Sequence, residues 1–257
     1  MDLQLKNKVI FVTASGQGIG KAIADAFLAE GARVLINDCD EKKLNETYKK
    51  FRRQFGASVD LFCGDVLERA SIAKAKEQIL KKWKQVDIII PNLGSGKPQD
   101  VNKLDVSEWQ RFFHLNVQSV LEMLNEFLPV MKKQKQGSIV LISSIVGIEA
   151  TVAPFGYAAA KASLLTLVKN LSRELADFRI RINAVAPGNI YFKNGRWEEI
   201  IKTNPAVMKH YIAKDVPMKR LGTPEEIARA VVFLSSPASS FTTGACLVVD
   251  GGETKSY

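Results

Sequence analysis

Cysteine and histidine are scarce in this chain. The three cysteines, Cys39, Cys63 and Cys246, are scattered and odd in number, which gives neither a disulfide framework nor the spacing of a metal site. The two histidines, His114 and His210, lie far apart. They leave no multi-histidine zinc site, and few candidates for a Ser-His-Asp hydrolase. Long apolar runs are missing too: none approaches the roughly 20 residues that cross a bilayer. The first eight residues carry Asp2, Lys6 and Lys8 where a signal peptide has its apolar run. A soluble, cytoplasmic protein with no membrane partner and no metal is the expectation.

Acidic residues are also in deficit, since 36 Lys and Arg against 27 Asp and Glu give a net charge of +9. The excess sits in helix-like stretches such as Glu41-Lys42-Lys43-Leu44-Asn45-Glu46. A nucleic-acid reader interleaves its basic residues with exposed aromatics or carries a recognisable reading module. Neither is evident, so solvated helix faces and no nucleic-acid partner are expected.

What the chain does have is 257 residues, 46% of them hydrophobic, enough for one large domain with a substantial core. Short β-branched runs at 9–13, 33–37, 59–63, 87–90, 138–142, 181–185 and 246–249 alternate with helical patterns. The helices are expected at about 19–30, 41–54, 68–84, 107–132, 155–177 and onward from Thr223-Pro224. This alternation predicts an α/β fold with a doubly wound, seven-stranded parallel sheet, helices on both faces and a single domain over 1–257. Ligands bind beyond the carboxyl ends of such strands. Residues from about 188 to 219 break the rhythm and suit a substrate lid over that edge.

Tyr157 and Lys161 stand four apart, one helical turn on the same face, with Ser144 thirteen residues before the tyrosine. A tyrosine hydroxyl, with a pKa of about 10, is a poor base at neutral pH. A neighbouring cation favours phenolate, and a tyrosine tuned in that way can exchange a proton with an alcohol or carbonyl oxygen. The first strand runs into Thr13-Ala14-Ser15-Gly16-Gln17-Gly18-Ile19-Gly20, a glycine-rich turn opening a helix, where backbone N–H groups can hold phosphate. Asp38 closes the second strand eighteen residues after Gly20. A carboxylate there accepts hydrogen bonds from ribose hydroxyls and repels a 2′-phosphate, which favours NAD over NADP.

Taken together, these residues resemble the short-chain dehydrogenase/reductase family over essentially the whole chain. The turn matches the family's Thr-Gly-x3-Gly-x-Gly, with Ala14 replacing the first glycine. Asp65-Val66 resembles the adenine contact, and Asn92-Leu93-Gly94 the segment after the fourth strand. Asn116, Ser144, Tyr157 and Lys161 match the catalytic set, while Pro187-Gly188 and Ile190 match the segment beside the nicotinamide. The resemblance implies a Rossmann-like fold and hydride transfer between a nicotinamide cofactor and a carbonyl/alcohol pair. Tyr157 would be the general acid/base, with Lys161 lowering its pKa and holding the nicotinamide ribose. Ser144 would bind the substrate oxygen, and Asn116 would hold a water of a proton relay. Thr13, Ser15, Gln17, Gly18, Ile19 and Gly20 would cradle the cofactor, and a homotetramer is implied. Phe192 stands where the family often has a threonine beside the nicotinamide amide.

Two other readings are an NADPH-dependent 3-oxoacyl-carrier-protein reductase, against which Asp38 argues, and a non-catalytic nucleotide-binding scaffold, against which the complete catalytic set argues. Ser95 to Gln99, Ile145 to Phe155 and the 188–219 insertion, with Tyr191, Phe192, Arg196, Trp197, Lys202, His210 and Tyr211, are expected to form the pocket for a small carbonyl or alcohol substrate.

Overall fold

The protein is described by a computed structural model covering residues 2–97 and 104–255. Gln99, at the end of the expected pocket segment, lies outside the described residues. Seven strands form one parallel sheet: β1 (Val9–Val12), β2 (Arg33–Asp38), β3 (Val59–Cys63), β4 (Ile88–Ile90), β5 (Gly137–Ile142), β6 (Ile180–Pro187) and β7 (Cys246–Val249). Their spatial order is β3-β2-β1-β4-β5-β6-β7. The winding reverses between β1 and β4, so the loops after these two strands diverge and open a crevice. Val12 is aligned with both Ile36 and Ile90. Thr13, Asp38 and Asn92, just beyond those residues, therefore meet at one edge.

Side chains along a strand alternate between faces, and both faces here are apolar. Ile10, Val12, Val34, Ile36, Ile88, Ile90, Val140 and Ile142 join one buried cluster. The intervening Val9, Phe11, Leu35, Ile89, Ile139 and Leu141 join the other. Helices α1 (Gly18–Ala29), α2 (Glu41–Phe55) and α9 (Pro224–Ser235) supply residues to the first cluster, while α3 (Arg69–Trp83), α5 (Ser119–Gln134) and α6 (Phe155–Leu175) supply the second. Burial at these positions contributes about 1.5–3 kcal/mol for each large aliphatic or aromatic side chain.

The expected helix over 107–132 is interrupted. Helix α4 (Val106–Phe113) passes into a π-helical turn at His114–Gln118 before α5 begins. One extra residue in a turn rotates the helix beyond it, and such bulges cluster at functional sites. Here the widened turn carries the fully buried Asn116.

The insertion contains helices α7 (Arg196–Thr203) and α8 (Pro205–Asp215), joined to the body by a bridge between Ile190 and Gly222. No residue of α7 and only Met208 of α8 is buried. Specific contacts hold the pair instead. Trp197 stacks on Tyr211 with ring centroids 6.2 Å apart. The Tyr211 hydroxyl donates to Glu253, and Asn189 Nδ2 donates to both Glu253 oxygens at 2.9 and 3.1 Å. Burial, followed by the Glu253 carboxylate, pushes the Tyr211 pKa up, and burial raises that of Glu253. The three cysteines are free and exposed. Among the described residues no helix is long and apolar enough to cross a membrane.

Candidate active site

A cleft of about 580 Å³ opens at the carboxyl ends of β1, β4, β5 and β6. Its nucleotide end is built on the turn after β1. Helix α1 starts without a side-chain cap and with no acid in its first turn, leaving its early N–H groups available to an anion. Gly18 has φ +57, left-handed geometry that glycine adopts without cost. Gly20 admits no larger residue: a Cβ there would lie 2.3 Å from the Ala14 carbonyl oxygen and 2.5 Å from Asn92 Nδ2. Asn92 pins the turn, donating to the carbonyls of Thr13 at 3.2 Å and Ala14 at 3.1 Å. Ala14 itself sits at φ +47, where its Cβ costs about 1–2 kcal/mol relative to right-handed backbone.

Asp38 is fixed from two sides. Oδ2 accepts from Gly16 N at 3.1 Å and Oδ1 from Asp40 N at 3.0 Å. The cap of α2 is Asp40, so Asp38 remains on the cleft wall. These features fit a nicotinamide dinucleotide: an uncapped helix start, a turn with room only for glycine, and a carboxylate at the end of β2.

The expected cofactor residues divide into two groups. Gln17, Gly18, Ile19, Asp38, Asn92, Gly94, Tyr157, Lys161, Pro187, Gly188 and Ile190 line the cleft. Thr13, Ser15, Gly20, Asp65 and Val66 are not among the residues on its wall. The Thr13 hydroxyl accepts from Asn92 N at 2.9 Å. The Ser15 hydroxyl faces the Val12 and Asn37 carbonyls at 3.0 and 3.2 Å. Asp65 Oδ1 accepts from Leu67 N at 2.9 Å, and Val66 packs in the core.

At the other end, α6 presents Tyr157 and Lys161. It buries Gly156, Ala160, Leu164, Val168 and Ser172 in a stripe of spacing four, which packs the helix along the sheet and fixes both residues' height. Ser143 Oγ donates to the Lys161 carbonyl at 2.9 Å and ties α6 to the end of β5. Ser144 shares the cleft wall with Tyr157 and is near enough to its hydroxyl to favour the phenolate. The Tyr157 ring is 5.9 Å from that of Phe112, and Gly96 passes so close that a Cβ there would meet Tyr157 Cε1 at 2.8 Å.

The electrostatics depart from the expected picture. Burial raises the Tyr157 pKa, and the groups that hold it down are Ser144 and then the cation of Arg196. Lys161 is absent from that set. Its Nζ donates to the Ile142 carbonyl at 2.8 Å, lies 5.8 Å from the centre of the tyrosine ring, and is only 3% exposed. Burial lowers its own pKa from 10.5 to about 8, because a charge is disfavoured away from water. Burial thus brings the proton exchange of Lys161 closer to neutral pH than an ordinary lysine's.

Asn116 stands behind the cleft. Its Oδ1 accepts from Ser95 N and its Nδ2 donates to Ser95 O, both at 3.2 Å, and Nδ2 also donates to the Phe112 carbonyl at 2.9 Å. It holds the loop after β4 in place, where Gly96 packs against Tyr157. Gly94 brings Asn116 and Lys161 together, since a Cβ there would sit 2.7 Å from Asn116 Oδ1 and 2.9 Å from Lys161 Nζ.

Of the expected substrate segments, 95–97 and the insertion line the cleft, whereas 145–155 does not. Within the insertion, Phe192, Arg196 and Trp197 line it; Tyr191, Lys202, His210 and Tyr211 do not. Phe192 lies on the glycine turn, with ring atoms 2.8–3.2 Å from where a Gly18 Cβ would be. Sequence reasoning missed Glu199, which lines the cleft and pairs with Lys97 at 3.3 Å. Its position on the first turn of α7 was the available signal.

Residues 13–254 match a family model described as Enoyl-(Acyl carrier protein) reductase. The chain is 32% identical over 250 residues to the 3-oxoacyl-acyl-carrier-protein reductase FabG of Thermotoga maritima, covering 97% of this chain and 99% of the relative. The chain belongs to the short-chain dehydrogenase/reductase family. Among solved structures, L-sorbose reductase from Gluconobacter frateurii, complexed with NADPH and L-sorbose, superposes with a TM-score of 0.92 at 27% identity, over 100% of both chains. A 7α-hydroxysteroid dehydrogenase complexed with NADH and 7-oxo glycochenodeoxycholic acid gives 0.89 at 29% identity, over 99% of this chain and 97% of that one. This short-chain dehydrogenase/reductase is accordingly an oxidoreductase that moves hydride between NAD(P)(H) and a carbonyl/alcohol pair.

Proposed function

We propose that the chain is an NAD(H)-dependent dehydrogenase/reductase of a small ketone or secondary alcohol, with Tyr157 as general acid/base. The observation that carries this reading is that Ser144, Tyr157 and Lys161 line the same cleft as the Asp38 carboxylate fixed by Gly16 N. The nicotinamide supplies or accepts the hydride. Tyr157 gives its proton to the carbonyl oxygen in reduction and takes it from the alcohol in oxidation. Ser144 holds the same oxygen. Lys161 holds the nicotinamide ribose and, with its pKa brought to about 8, returns a proton to Tyr157. Asn116, beside it at Gly94, holds a water that links Lys161 to solvent. Thr13, Ser15, Gly20, Asp65 and Val66 shape the nucleotide half from behind. The 188–219 segment acts as a lid on a single domain.

Asp38 carries the preference for NAD(H), because its charge opposes a 2′-phosphate. A homotetramer is supported by large apolar side chains left exposed outside the cleft, Phe113 and Leu121 on α4 and α5, and Phe241 and Leu247 before and within β7. Light scattering of the purified protein checks the assembly. The similarity to FabG favours a second reading, an NADPH-dependent reductase of 3-oxoacyl-carrier-protein.

Fluorescence titration with NADH and NADPH, followed by a screen of alcohols, polyols, hydroxy acids and acyl thioesters, separates the two. Tighter NADPH binding with thioester turnover replaces the first reading by the second. Tyr157→Phe lowers kcat by about 10²–10⁴ while cofactor affinity holds; a variant that retains wild-type turnover refutes the assignment.

A further inference from the structure

Arg196 opens α7 at the mouth of the cleft. Its Nη1 donates to the Gly96 carbonyl at 2.8 Å, and Gly96 is the residue packed against the Tyr157 ring. The guanidinium therefore stands one peptide away from the phenol. Neighbouring charges on this lid are matched: Glu199 is taken by Lys97, and Glu198 by Lys202, each at 3.3 Å. Glu198 also accepts from Asn194 N at 2.8 Å. Among the described residues Arg196 has no carboxylate partner, although two acids follow it within a turn. One of its five donors is used at Gly96, and the planar fork that remains suits a carboxylate, sulfonate or phosphate. Trp197, held by its stack on Tyr211, supplies an apolar wall next to it. The charges at this end of the cleft are Lys97, Arg196 and Glu199, a net positive field, with Asp38 at the opposite, nucleotide end.

Resting on the dehydrogenase reading above, we propose that the substrate is an anionic oxo or hydroxy compound, its acidic group a few bonds from the reacting carbon, and that Arg196 recognises that group. The same cation offsets part of the rise that burial causes in the phenol's pKa, in keeping with its place at Gly96 beside the ring. A lid latch alone needs only the one N–H that meets Gly96.

The test uses purified protein with saturating NADH, or NADPH if that binds tighter. Short oxo acids, oxosulfonates and oxoalkyl phosphates are each paired with a neutral analogue, the methyl ester or the alcohol. Wild type should favour the charged member in kcat/KM by about 10- to 100-fold, as expected for charge-assisted hydrogen bonds. R196Q should collapse that ratio at least tenfold, and R196K should restore part of it. An unchanged ratio, with both members slowed alike, overturns the proposal in favour of a latch; so does a wild-type preference for neutral substrates. Binding is read independently of turnover, by quenching of tryptophan fluorescence with the saturated acids and their amides. No acid bound below about 10 mM also overturns it. Arg196-dependent acid binding in a protein that turns over no carbonyl and ignores Tyr157→Phe would instead sink the dehydrogenase reading and leave the anion site standing.

Discussion

Replacing Lys161 with methionine removes a buried charge while nearly keeping the side chain's length. The folded protein holds this ammonium at a pKa of about 8 against an ordinary 10.5, and the unfolded chain keeps the ordinary value. Where a lysine pKa is depressed by folding, the unfolded state binds more protons between the two values, so stability rises with pH across that window. At pH 7 both states are largely protonated, and charge burial costs about 3 kcal/mol. At pH 9.5 the folded amine is neutral and the unfolded one still mostly charged, so the cost falls to about 1.5 kcal/mol. Wild type should therefore gain about 2 kcal/mol over K161M between pH 7 and pH 9.5. Urea unfolding followed by tryptophan fluorescence, at one protein concentration, measures the difference and cancels the background charge effects common to both proteins. Parallel stability curves would show that Lys161 titrates at its ordinary value, and would remove it as a proton donor near neutral pH.

Two further substitutions probe the nucleotide half. Asp38→Asn keeps an acceptor for Gly16 N and removes the charge, so the NADH-to-NADPH affinity ratio should fall at least tenfold in a fluorescence titration; an unmoved ratio means that the carboxylate does not set the preference. Gly20→Ala drives a Cβ into the Ala14 carbonyl and Asn92, an overpacking cost of about 3 kcal/mol that calorimetry should show as a lowered Tm. Wild-type melting would mean that the turn relaxes freely.

The strands and their parallel sheet were legible because the central strands bury both faces, which leaves short apolar runs suited to a covered parallel sheet. Tyr157, Lys161 and Ser144 were legible from spacing. The direction of charge tuning was not: helical geometry places Lys161 one turn from Tyr157, but the Ile142 carbonyl decides where Nζ points. The π-helical turn escaped notice because one added residue hardly disturbs an amphipathic pattern. Arg196 meets the Gly96 carbonyl, a hundred residues away in sequence, a contact no local pattern encodes. Ser15 reads as a phosphate ligand in its motif, yet its hydroxyl turns inward to the carbonyls of Val12 and Asn37.

Phe192 belongs to the segment that shapes the substrate wall, yet its ring rests on Gly18 of the nucleotide turn. The ring covers that backbone, and Arg196 and Trp197 come four and five residues later on the same segment. A change at Phe192 therefore bears on both halves of the cleft at once, the glycine turn beneath its ring and the wall of Arg196 and Trp197 that follows it.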